Sequence, residues 1–97
     1  MANVRVQYFG SIRAAAGTPE EETARGENAT VFQLLLELAD AYGKAFRGEI
    51  LDESGERLRD DVTLTVNGAI INHSAAYEMR LRPGDLLALF PIFPGGG

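Results

Sequence analysis

Few side chains in this chain could do chemistry, and the stretch that most needs explaining is its end, FPIFPGGG. Gly95, Gly96 and Gly97 bring no side chain and no charge. Glycine also loses more conformational freedom on ordering than any other residue. Such an end is either an inert, frayed terminus or a chain end that something requires to be free of Cβ atoms. The usual chemical groups are scarce elsewhere. Cysteine is absent, which removes disulfides, thiolate nucleophiles and thiolate metal sites. His73 is the single histidine, so no multi-histidine metal cluster is expected, and in the polar stretch NHSAAYE it reads as a surface loop residue. The acids of ILDESGERLRDD lack the ligand spacing of a calcium loop. With no glycine-rich phosphate loop, the chain is expected to bind no ATP, no other cofactor and no metal of its own.

Size and charge narrow the class of protein. Ninety-seven residues make one domain, here expected over residues 1–92 with a C-terminal tail over 93–97. A net charge of −5 with a single lysine, Lys44, and no basic cluster argues against nucleic acid or an anionic membrane as partner. An acidic surface instead favours a basic face on another protein. No apolar run approaches the roughly 18 residues of a membrane span. The strand pattern starts at MANVRVQ, leaving no room for a signal peptide, so a cytoplasmic location is expected.

The elements that must carry the tail are legible from periodicity. VRVQYF alternates, with Val4, Val6 and Tyr8 on one face and Arg5 and Gln7 on the other, the pattern of a half-buried strand. GSIRAAAGTP predicts a short helical turn, and EEETARG a polar second strand returning as an edge, where its acids discourage edge-to-edge association. TVFQLLLELADAYG predicts the main helix. Thr30 and Gln33 form a capping box, and Val31, Leu34, Leu35, Leu38 and Tyr42 make a core stripe. Gly43 is placed to end that helix in a left-handed conformation. RGEILDESGERLRDD reads as a solvated loop. VTLTVNG predicts a strand with Val62, Leu64 and Val66 inward, closed by a tight Asn67-Gly68 turn. AIIN follows as a short strand, and DLLALFPI as a last strand too apolar for an edge. The fold class is therefore α+β, a mixed sheet with one main helix on one face. With the last strand central and parallel to the first, it is a β-grasp (ubiquitin-like) sheet.

On these residues the chain resembles the small subunit of molybdopterin synthase and its ubiquitin-like sulfur-carrier relatives, including the archaeal small modifiers. VRVQYFGSIRAAAGT matches the family's first strand, aromatic pair (Tyr8-Phe9), short helix with Ile12 and Arg13, and Gly-Thr. TVFQLLLELADAYG matches its helix, TVNG its Val-Asn strand end, and LRPGDLLALFPIFPGGG its Gly-Asp turn, last strand, Phe-Pro and glycine terminus. Only residues 44–61 and NHSAAYEMR lack a counterpart. The ending is the specific part.

The resemblance implies a co-substrate and not an enzyme. A ubiquitin-activating-like adenylyltransferase uses ATP to adenylate the terminal carboxylate, here that of Gly97, and a sulfur donor converts it to a thiocarboxylate. The sulfur then passes to an acceptor: the pterin of molybdopterin synthase, whose large subunit becomes a partner, thiamin, or a tRNA base. Some archaeal relatives instead join the same carboxylate to lysines of target proteins. On this reading Gly95 and Gly96 provide clearance in a narrow channel, and Ile92 and Phe93 are partner contacts. Phe90 is a candidate for a docking face together with Phe9, although both residues read first as core, and Arg13 reads as a plain surface arginine. The three terminal glycines exceed the usual two, so Gly97 is either the reactive residue or trimmed to leave Gly96.

Overall fold

Alternation in the first strand and helical spacing in the middle of the chain produce two layers, a sheet and the helices packed on one of its faces. The computed structural model describes residues 3–24 and 28–91. In chain order the elements are β1 (Val4–Tyr8), α1 (Gly10–Ala16), β2 (Glu20–Thr23), α2 (Val31–Tyr42), α3 (Lys44–Ile50), β3 (Val62–Val66), β4 (Ala69–Ile71), α4 (His73–Ala76) and β5 (Leu86–Pro91). The five strands lie in the order β2-β1-β5-β3-β4. β5 enters the centre parallel to β1, with Val6 opposite Leu87 and Tyr8 opposite Leu89, and antiparallel to β3. Both hairpins, β1–β2 and β3–β4, are antiparallel. The predicted β-grasp sheet is therefore present, with β2 as its predicted acidic edge.

Strand parity decides which side chains meet the helices. Val4, Val6 and Tyr8 of β1, Val62 and Leu64 of β3, and Leu87 and Leu89 of β5 are buried against Val31, Leu34, Leu35 and Leu38 of α2. Burying a Leu or Val side chain contributes roughly 1.5–3 kcal/mol relative to leaving it in water, so this stripe dominates stability. α2 starts as its sequence predicts. The Gln33 amide donates to Thr30 Oγ1 at 3.1 Å, and the Thr30 amide donates to Gln33 Oε1 at 2.9 Å. Thr30→Ala removes the acceptor of the Gln33 amide and is expected to cost about 1 kcal/mol, read as a lower urea midpoint at unchanged slope. Asn67-Gly68 forms the tight turn with φ values of 53° and 87°. Beyond turning the chain, the Asn67 side chain accepts from the Leu86 amide at 2.9 Å and donates to Asp85 at 3.0 Å, tying the hairpin to the start of β5.

Three expectations are corrected. Residues 47–50, expected to open a solvated loop over 47–61, are helical: with residues 44–46 they form α3, which buries Phe46 and Ile50, one turn apart, while Leu51 and Leu58 close the following turn from inside. Gly43 does not end α2 in a left-handed helical conformation. Its φ of 97° is positive, but its ψ of −166° is extended, and it serves both as the end of α2 and as the start of α3. NHSAAYE contains a helical turn, α4, capped by Asn72, and His73 is half-buried with Nε2 donating to the Val62 carbonyl at 2.6 Å. That bond fixes the imidazole to the start of β3 and gives it a structural role. Val66, expected inward, packs against the core from the end of β3 and is half-buried there.

The edge strand is tied inward by a polar cluster the periodicity does not reveal. Glu21 faces the helix side, where its carboxylate accepts from the Tyr8 hydroxyl at 2.7 Å and from the Tyr42 hydroxyl. Burial, and then the bond to Glu21, push the Tyr8 phenol well above its ordinary value, so it stays protonated and donating. Phe46 completes the group, edge-on to the Tyr8 ring at 5.6 Å.

Surface carboxylates give the acid limb of stability its sign. The Arg5 guanidinium at 2.6 Å holds Glu20 below its ordinary 4.5. Arg59 at 2.7 Å, and the hydroxyl of Ser54, hold Asp61 and Asp52 below 3.8. For each, the folded state binds protons less readily than the unfolded one. Their contribution is full above those ordinary values and is lost as pH falls through the depressed ones. All three are exposed, so the expected result in urea titrations is a midpoint flat near neutrality with only a shallow decline from these groups in acid.

Candidate functional site

The face of the sheet turned away from the helices carries the candidate docking residues. Parity that sends Val4, Val6 and Tyr8 inward sends Arg5, Gln7 and Phe9 outward, and the register then aligns Leu86, Ala88 and Phe90 of β5 beside them. Thr63 and Thr65 of β3 and Ile70 of β4 continue the same face. Phe9 is 38% exposed and stacks on Phe90, ring centroids 4.3 Å apart and planes within 9°. Ala88 is 4% exposed although it lies outside the core cluster, and Ile70, at the far edge, is 76% exposed. Phe9 and Phe90 are therefore not core residues. They follow inward-pointing Tyr8 and Leu89 and must point to the other side.

Charge grades across this face. At the β2 edge Glu20 and Glu22 stand opposite Gln7 and Arg5, and Arg5 is already paired with Glu20. The middle is apolar and aromatic, and the β4 edge is apolar again through Ile70. A face of this kind, apolar at the centre and acidic along one side, suits a partner with an apolar patch and a basic flank.

The end of β5 is held tightly where it leaves the sheet. Pro91, the last residue of β5, lies opposite Val62 of β3 and packs its ring against Gly10, the first residue of α1. A Cβ placed on Gly10 would sit 2.6 Å from Pro91 Cγ, a separation that real side chains do not tolerate. Gly10 also has φ of 56°, which side-chain-bearing residues adopt only at a cost.

Of the residues singled out in the sequence, Phe90 lies on this face, and Arg13 is exposed on α1 near Gly10. Ile92, Phe93, Gly95, Gly96 and Gly97 lie outside the described residues. Gly10, Pro91 and Ile70 are site residues that the sequence does not mark as a group. The parity of β1 and β5 was the available signal for the aromatic pair, whereas the Gly10–Pro91 contact joins segments distant in sequence and left none. Among the described residues no cluster of His, Cys, Asp or Glu could hold a metal ion, and no helix is long and apolar enough to cross a membrane.

A mixed five-stranded sheet with a parallel central pair, a capped helix across one face and the chain end leaving from the central strand defines a β-grasp carrier or modifier. The model of the ThiS family matches residues 6–96, and the chain belongs to that family. Among solved structures it is similar to small archaeal modifier protein 1 of Methanosarcina acetivorans, with 32% identity over 99% of this chain and 98% of that one and a TM-score of 0.76. It is also similar to a Pyrococcus furiosus protein described as a molybdopterin converting factor subunit 1, with 31% identity, 96% and 100% coverage and a TM-score of 0.69. The small archaeal modifier protein 1 of Haloferax volcanii gives 26% identity, 96% and 100% coverage and a TM-score of 0.79. Comparison with curated proteins finds no match.

Proposed function

We propose that this protein is a sulfur carrier, a co-substrate and not itself a catalyst, which works through the carboxylate of Gly97 in molybdopterin biosynthesis. A carboxylate is a poor electrophile. In the proposed cycle one of its oxygens attacks the α-phosphorus of ATP on a ubiquitin-activating-like adenylyltransferase, pyrophosphate leaves, and an acyl-adenylate forms. A sulfur donor then attacks the carbonyl carbon and AMP leaves, giving the thiocarboxylate. Its sulfur bonds to a carbon of the pterin on the large subunit of a molybdopterin synthase, displacing a leaving group there, and water then cleaves the acyl carbon–sulfur bond, leaving the sulfur on the pterin and restoring the carboxylate. ATP is consumed on the adenylyltransferase, in the cytoplasm, and nothing in the cycle requires a cofactor, nucleic acid or membrane bound to this chain.

The roles divide between domain and tail. Residues 1–92 dock through the outer sheet face around Phe9 and Phe90. Residues 93–97 enter the partner's active site, with Gly95 and Gly96 lacking the Cβ atoms that a narrow channel would reject, and Ile92 and Phe93 touching the channel mouth. The observation that supports this reading is the family match itself, which runs over residues 6–96 and so reaches Gly95 and Gly96, with Gly97 one residue beyond it. The test is exchange of labelled pyrophosphate into ATP with the adenylyltransferase. Exchange that requires this protein, and is lost when residues 95–97 are removed, is the expected result. Exchange that is indifferent to the tail contradicts the proposal.

A second reading, in which the same acyl-adenylate is captured by a lysine amine of a target protein, is favoured by the similarity to two small archaeal modifier proteins. Both readings share every tail residue and differ in the nucleophile. Lys44 is the only lysine of the chain, so a self-linked polymer would have to use it or the N-terminus.

A further inference from the structure

We infer that Gly10 and Pro91 form a launch clamp, in which the bare Cα of Gly10 admits the Pro91 ring and thereby sets the direction in which the reactive tail leaves the sheet. The inference rests on the proposed activation of the tail and adds two positioning residues that do not themselves touch the reacting atoms.

The geometry separates the clamp from ordinary packing. β1 ends at Tyr8, whereas its parallel partner β5 runs on past it to Pro91, so the last two residues of β5 have no β1 strand residue beside them. Three different contacts replace that missing neighbour. On the outer face the Phe90 ring lies flat on Phe9. On the β3 side Phe90 and Pro91 stay in register with Thr63 and Val62. On the α1 side the Pro91 ring meets Gly10, whose positive φ lets the chain turn from β1 into α1 directly beneath it. Proline fixes its own φ and holds the residue before it extended. Phe90 and Pro91 are thus locked in backbone as well as in side chain. A displacement of Pro91 changes the position and direction of the carbonyl from which the tail continues. An added methyl group at Gly10 must push Pro91 aside, since Cγ would stand at 2.6 Å and Cδ at 3.2 Å, while Pro91 Cβ, at 4.0 Å, would be undisturbed.

That last distance supplies the test. Gly10→Ala should lower kcat for pyrophosphate exchange about tenfold, with KM little changed because the docking face is kept, since displacements near 1 Å cost up to about 100-fold in rate. Pro91→Ala removes Cγ and Cδ, keeps Cβ, and should lower kcat severalfold by loosening the base of the tail. In the Pro91→Ala background Gly10→Ala should then change kcat by less than about twofold, a strong departure from additivity. Backbone strain at Gly10 is the competing cause, and it predicts the opposite: Pro91→Ala leaves φ at Gly10 as it was, so the loss would be equal in both backgrounds. Amide resonances of Ile92 and Phe93 give a reading independent of activation. They should shift in Gly10→Ala and coincide in Pro91→Ala and the double variant. Equal losses in both backgrounds, or unmoved Ile92 and Phe93 resonances, overturn the clamp. Wild-type protein that supports no exchange while the resonances behave as expected overturns the carrier reading and leaves the clamp standing.

Discussion

Gly96→Phe is expected to reduce pyrophosphate exchange roughly 100-fold or more while leaving the unfolding transition where it is. The two halves of that result have separate causes. Among the described residues the core cluster runs from Val4 to Leu89, and glycine has no side chain to lose, so replacing Gly96 takes no side chain out of the core. In the proposed channel, by contrast, the ring collides at the point of reaction, and misplacing a reacting group by about 1 Å already costs up to about 100-fold. Position 96 is chosen because the expectation holds whether Gly97 or Gly96 is the reactive terminus. In one case the ring is adjacent to the reacting carbonyl, and in the other it is attached to the same residue. Exchange at the wild-type rate would mean that the channel argument for the glycines is wrong.

Phe46→Ala should have the largest effect on stability of any single truncation in α3, about 3–5 kcal/mol, measured by urea unfolding. Phe46 is 0% exposed, lies edge-on to Tyr8 at 5.6 Å and tilted on Tyr42 at 5.1 Å. Its loss opens a cavity under the rings that hold Glu21 and the β2 edge. A domain of this size typically has about 5–15 kcal/mol in all, so the variant should be close to unfolding at ambient temperature. A cost below about 1 kcal/mol would contradict the packing of α3.

What the sequence revealed, and what it hid, follows from how much of each signal is local. β1, α2, the Asn67-Gly68 hairpin and β5 each carry their own period or turn chemistry, and each is found where that pattern puts it. α3 does not, because KAFRGEI offers two apolar anchors in seven residues, among charges and with Gly48 inside. The burial of Phe46 depends on Tyr8, which is remote in the chain, as well as on nearby Tyr42. Phe9 and Phe90 read as core because aromatic residues usually are, but strand parity next to Tyr8 and Leu89 turns both outward. The candidate site divides the same way. Its tail is evident from composition alone, whereas the Gly10–Pro91 seat exists only once β5 has been laid beside β1, a non-local pairing that no local pattern encodes.

The most direct test of the carrier proposal is the intact mass of this protein recovered from its native cells, read at the C-terminus. Replacement of one terminal oxygen by sulfur, at Gly97 or at Gly96 after trimming, is the predicted result. A carboxylate that stays unmodified even when adenylyltransferase, ATP and a sulfur donor are supplied would contradict it.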